Sequence, residues 1–146
     1  MFTLEQRGTF KYTLAHVLAY NSVAISLGVW RPKYLFHDWE KPWMLMFAKG
    51  LKKIGLLKQE PYEWVQNWHR HHRRHHIEYY KAATLTHSGR SVNIREMIID
   101  WECSRFTKLS SPRNAYQQFM HKKDTFSDFH QILIANELKL LGLWES

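Results

Sequence analysis

The chain is predicted to be all-α, and three observations carry that prediction. Apolar residues recur at three- and four-residue spacing over long stretches, and no stretch sustains the apolar/polar alternation of a half-buried strand. Only six Gly and four Pro are spread over 146 residues. Hydrophobic residues make up 45% and aromatic residues 15%, which is too rich for a disordered chain. The length suits one core, so a single compact domain, 1–146, of six or seven helices is expected.

The elements follow in order. Leu14, Val17, Leu18 and Ile25 predict a first helix over 4–27 that contains His16 and stops at Gly28. Pro32 and Pro42 bracket a short segment, and Pro42 suits the first turn of a second helix running to about residue 54 before Gly55. That places His37 and Asp38 near a helix end or kink. Pro61, in the acidic opening Glu60-Pro-Tyr-Glu63, predicts a long helix over 61–85 carrying five histidines. Residues 86–91 read as a loop, and Asn93-Ile-Arg-Glu96 as a capping box opening a helix to about residue 106 with Asp100 at its centre. Ser111-Pro112 is expected to start a short helix through about residue 120. Thr125-Phe-Ser-Asp128 is expected to cap a last helix ending at Gly142.

Composition narrows the chemistry. Twenty-one Lys and Arg against thirteen Asp and Glu give a formal charge of +8, which favours anionic partners such as nucleotides, other phosphates or nucleic acid. Cys103 stands alone, so an intramolecular disulfide and a Cys-based zinc site within one chain are excluded. No apolar run approaches the roughly 18 residues of a membrane span, and the opening residues lack the build of a secretory signal. No membrane partner and a cytoplasmic location are therefore expected.

The densest chemical signal is Trp68-His-Arg-His-His-Arg-Arg-His-His76, five imidazoles and three guanidiniums in nine residues. On one continuous helix His69, His72 and His76 form a stripe while His71 and His75 lie beside it. Such a run could bind metal, wall a phosphate site with Arg70, Arg73 and Arg74, or simply face solvent. A second constellation has longer spacing: His16, the pair His37-Asp38, and Asp100 in Met97-Ile-Ile-Asp-Trp101. Asp100 is preceded by three apolar residues, and a carboxylate beside a buried face needs a cation or several donors. Arg95 or Arg105 could supply it, and His16 alone would suit a hydrogen-bonded core position. A shared metal would satisfy His16, His37, Asp38 and Asp100 together, as a mixed nitrogen and oxygen ligand set for Mn, Fe, Co, Ni or Zn.

His16, then His37-Asp38, then Asp100, on a helical background, resembles the H…HD…D signature of the HD-domain metal-dependent phosphohydrolase superfamily. His37-Asp38-Trp-Glu-Lys41 is similar to its HDxxK variant. More closely, the chain resembles a small family of HD-like bacterial and phage proteins. There a first-helix His, an HD-x-x-K segment, an H-x-H-x-x-x-H-H-x-E-Y stretch and an E-M-x-x-D-W stretch follow in this order. Here they read His16, His37 to Lys41, His69 to Tyr79 and Glu96 to Trp101, with His72 extra to the pattern.

The resemblance implies an HD-domain-like helical fold and a hydrolase acting on a nucleotide-like phosphate ester or cyclic nucleotide through metal-activated water. His16, His37, Asp38 and Asp100 would be ligands of one or two divalent ions, with His69 and His75 joining them. His69, His71, His75 and His76 would supply catalytic groups. Lys41 would meet the phosphate as a point charge, Arg70, Arg73 and Arg74 would help bind it, and Glu78 and Glu96 would orient imidazoles. Two readings stay beside it. Some HD-like proteins hold two irons and activate oxygen, which the many histidines would suit. A non-catalytic basic module binding nucleic acid or protein would use the charge but has no need of Asp100.

Overall fold

The computed structural model describes residues 1–3, 6–73, 75–76, 87–109 and 112–145, and of residues 87–92 the backbone alone. Among the described residues there are six α-helices: α1 (Phe10–Ser26), α2 (Glu40–Lys53), α3 (Pro61–His72), α4 (His87–Thr107), α5 (Ala115–Lys122) and α6 (Asp128–Leu140). Short 3-10 turns, Pro32–Phe36 and Lys123–Thr125, lie before α2 and α6. Among the described residues there is no strand, only an isolated bridge between Phe2 and Lys108. The all-α prediction with six or seven helices holds.

α4 is the axis of the molecule, packed against α1, α5 and α6, while α2 pairs with α3. Its helical period gives it two apolar faces. Ile94, Met97 and Ile98 meet Ala115, Phe119, Ile134 and Leu138 of α5 and α6. Ile99 and Cys103 meet Tyr20 and Ala24 of α1 and Tyr34 of the first 3-10 turn. Leu45, Ala48 and Val65 join α2 to α3. These three apolar clusters frame a polar interior in which Thr13, His16, His37, Asp38, Lys41, His69, His75 and Asp100 are all buried.

Several boundaries differ from the predicted ones, each for a local reason. α1 starts at Phe10 rather than residue 4, because the Thr9 side chain accepts from Tyr12 N–H at 3.2 Å and caps the first turn. α3 does not run on to residue 85. Arg73 is extended at φ −101°, ψ 125°, its N–H returning to His69 O at 2.9 Å and its guanidinium to Glu40. The remainder of the predicted helix, 77–85, lies outside the described residues. α4 begins at His87, within the predicted loop, so Asn93 and Glu96 are mid-helix and no capping box forms there. Gly89 costs only about 1 kcal/mol in a helix, a weak local signal for a break. The box forms instead at Asn114, whose side chain accepts from Gln117 N–H while Gln117 returns the bond. α5 therefore starts three residues after Pro112, held also by the Glu102 carboxylate accepting from Ala115 N–H at 2.8 Å. Ser127 caps α6, within the predicted capping segment.

Candidate metal centre

Four segments deliver the site. α1 turns its polar side inward, burying Thr13, His16 and Asn21 while Leu14 and Leu18 face solvent. α4 presents Asp100 between its two apolar faces. The link between the first 3-10 turn and α2 carries His37 and Asp38, and Asp38 has φ +61°, the one positive φ of a non-glycine residue described. That conformation costs on the order of 1 kcal/mol and is tolerated by Asp better than by most residues. Finally, the end of α3 at His72 lets the chain turn, bringing His75 and His76 back toward His69.

The donor atoms converge. His16 Nε2 is 2.9 Å from Asp100 Oδ1 and 3.8 Å from Asp38 Oδ2. His37 Nε2 lies 3.6 Å from Asp38 Oδ1 and 3.8 Å from Asp100 Oδ1. On the other side, His69 Nε2 and His75 Nε2 approach Asp38 Oδ1 at 3.1 and 3.7 Å. Two separate trios, His16/His37/Asp100 and His69/His75/His76, each place their ligand atoms within 4.8 Å of one another. Asp38 belongs to two further groups, one with His37 and His75 and one with Glu40 and His69, so it links the trios.

The outer nitrogen of His69 fixes what its inner one can be. His69 Nδ1 lies 2.9 Å from Glu40 Oε1, and only an N–H can satisfy that carboxylate. His16 Nδ1 is 3.3 Å from Thr107 Oγ1. With Nδ1 protonated, His69 Nε2 carries a lone pair, and it faces Asp38 Oδ1 at 3.1 Å. Acceptor against acceptor is repulsive without a cation between them. His37 Nε2, Asp38 Oδ1, His69 Nε2, His75 Nε2, His76 Nε2 and Asp100 Oδ1 are in fact all buried without a hydrogen-bond partner in the structure. Ligand bonds of about 2.0–2.2 Å set at 90–109° would leave neighbouring donors roughly 2.9–3.5 Å apart, close to the spacings found. The residues fit a metal ion, and the two linked trios offer room for two.

Electrostatics agrees with that donor set. Burial lowers His16 to about 4 despite Asp100 beside it, and burial, followed by the neighbouring imidazoles, keeps His75 and His76 well below the ordinary histidine range. These rings are neutral at pH 7, as ligands must be. Burial also opposes the charge on His37, but Asp38 and Asp100 outweigh it and raise its pKa. Burial would raise both aspartates. Instead the His37 and Lys41 charges hold Asp38, and the Lys108 charge helps hold Asp100, well below the usual carboxylate range. Glu40, with His69 outweighing its burial, falls to about 2.

Of the other predicted site residues, Lys41 is buried and ion-paired with Asp38 Oδ2. His71 and His72 are not part of the cluster: both are exposed, each donating Nδ1–H to the carbonyl four residues back at 2.8 Å, because α3 ends there and its last turn faces outward. The predicted stripe of residues 69, 72 and 76 therefore does not form. Glu96 orients no imidazole; it pairs with Lys33. Arg95 and Arg105, the other candidate partners of Asp100, are taken by Glu137 and Glu102. Arg73 binds Glu40 at 2.7 Å, while Arg74 and Glu78 lie outside the described residues. Glu40 itself carries no role in the sequence reading. Two places after Asp38 in a helix it would point away, and it reaches His69 because Asp38 stands outside α2 with a left-handed backbone.

Two cavities open on the cluster. One, of about 270 Å³, reaches Asp100, His75 and His76 and is lined by five cationic side chains, Arg7, Lys41, Arg70, Lys108 and Lys122. The other, of about 390 Å³, reaches His37, Asp38 and His75 between Lys33, Glu96, Glu40 and Arg73. No protein-family model, curated protein or solved structure matches the chain.

Proposed function

We propose that this protein is a metal-dependent hydrolase of phosphate esters, its ions held by His16, His37, Asp38 and Asp100 on one side and by Asp38, His69, His75 and His76 on the other. The observation that carries the reading is the set of six buried donor atoms without hydrogen bonds, converging from the link before α2, α3, the chain just after it, and α4, with His16 of α1 beside them. When bound, divalent ions would polarise a phosphoryl oxygen and lower the pKa of water. The chain's own groups do the rest. Glu40 holds the His69 ring with Nε2 inward, and Thr107 does the same for His16. Lys41 neutralises the outer oxygen of Asp38 and lines the cationic cavity, where it would help hold the phosphate. Arg70 and Lys108 supply further positive charge at its wall.

The order of His16, His37-Asp38 and Asp100, with Lys41 after the aspartate, supports an HD-type hydrolase. The cation-lined cavity favours an anionic phosphate ester of nucleotide type over an uncharged oxygenase substrate. A basic nucleic-acid module would leave the buried donors without purpose. The test is metal analysis of protein purified without a histidine tag, followed by a screen of nucleotides and other phosphate esters with Mn, Co, Ni, Fe and Mg. Phosphate release that needs the metal and disappears in Asp38→Asn is the expected result. Metal binding without release of phosphate from any substrate would remove the hydrolase reading and leave the metal centre.

A further inference from the structure

We propose that the outer face of α1, together with the neighbouring face of α2, is the interface of a two-fold homodimer of this chain. α1 buries polar Thr13, His16 and Asn21 along with part of its apolar side, and from Tyr12 to Ser26 its sequence holds no Lys, Arg, Asp or Glu, so beyond Lys11 its solvent face carries no charge. Leu18 is 62% exposed, and on α2 Trp43 and Phe47 are 62% and 63% exposed. The Phe10 ring packs edge-on against Trp43 at 5.1 Å, joining the two helices into one apolar surface.

Phe10, Leu14, Leu18, Trp43, Met46 and Phe47 are between 39% and 63% exposed. At roughly 150–250 Å² per large side chain this leaves on the order of 650 Å² of apolar surface in water. Patches of this size on a soluble chain mark a contact, and a stable interface takes roughly 800 Å² per partner. The apolar area is about four-fifths of one subunit's share of a dimer, the rim supplying the rest.

Shape and charge choose a second copy as the occupant. The helical period sets Leu14 and Leu18 beside the small Ala15 and Ser22 of α1, and the Phe10–Trp43 contact brings the bulky Trp43, Met46 and Phe47 of α2 alongside. A two-fold axis near the leucines would lay the bulky α2 residues of each copy on the small α1 residues of the other, the self-complementarity that a symmetric dimer requires. Two chains of formal charge +8 repel, and a face with no charge between Tyr12 and Ser26, bordered by exposed Lys11, Lys49 and Lys53, is where they can meet at lower cost. None of the six residues lines either cavity of the metal centre, so both stay open in such a dimer.

The test is sedimentation equilibrium of the full chain over a concentration series, with Leu18→Glu and Phe47→Glu beside the wild type. A species of twice the 17.7 kDa chain mass is expected for the wild type, tightening as salt screens the like charges. Each variant should weaken dimerisation at least about tenfold, as burial of a charge at a contact centre does. Their helical circular dichroism and metal content should equal the wild type's, which separates a lost interface from a lost fold. The milder Leu18→Gln and Phe47→Gln repeat the comparison should either glutamate variant unfold. A wild-type monomer at every concentration, or a dimer that all four variants keep, would overturn the proposal. A monomer that binds phosphatidylglycerol vesicles through this face would overturn it as well, in favour of a membrane surface.

Discussion

Asp38 gives one carboxylate oxygen to Lys41 and turns the other toward His37, His69 and His75. Two predictions follow from its neighbours. Glu40→Gln keeps an acceptor near His69 Nδ1 but removes the negative charge shared with Arg73, so metal affinity should fall about 10–100-fold at unchanged helix content. Isothermal titration with Mn reads the first quantity and circular dichroism the second. Lys41→Met removes the cation that compensates Asp38 in the metal-free protein. Turnover should fall, and added metal should raise Tm by more than in the wild type, because the ion then replaces a lost charge. An unchanged Tm increment would show that Lys41 does not act on this carboxylate.

At the scale of elements, the end of α3 decides which histidines matter. His69 sits inside the last turns, His71 and His72 close it on its outer side, and His75 and His76 return only because the helix stops. His71→Ala and His72→Ala should therefore retain full metal content and turnover, whereas His69→Ala or His75→Ala should lose bound ions. Metal analysis of the four variants decides it; a loss with His71→Ala equal to that with His69→Ala would contradict the assignment.

The sequence made α1, α2, α4 and α6 legible, with Asp100 mid-helix and His37-Asp38 at a helix entry, because helical period and Pro signals are local. The stop after His72 was not legible: it depends on the Arg73–Glu40 pair, a contact across 33 residues, and no Gly or Pro marks it. The same long-range contact hid Glu40. The start of α4 was not legible for the opposite reason: Gly89 and Ser91 are local loop signals, yet His87–Thr107 is one helix.

For the whole molecule, the charge balance of the interior sets its pH dependence. His16, lowered to about 4, and His75 and His76, also lowered, are neutral in the folded chain, while the unfolded chain binds protons there below about 6.5. The unfolded state then holds more protons, so metal-free stability should fall as pH drops from about 6.5 toward 4. His37 has the opposite sign. Its raised pKa contributes stability that is complete below about 6.5 and lost as pH rises through the folded value, one group against three. A metal must displace the His37 proton, so affinity should begin to weaken above pH 6.5 as acid is added. Thermal melts across pH, with and without chelator, measure both effects.

If, as proposed, a cation sits among these buried donors, metal stoichiometry of the tag-free protein reveals it. After Mn, Fe or Zn loading and gel filtration, two ions per chain are predicted for the wild type. Asp38→Asn, which keeps a residue able to hold the left-handed backbone, should lose the ions with its helical content intact. A wild-type chain that retains no metal, with a Tm indifferent to both metal and chelator, would overturn the proposed metal centre.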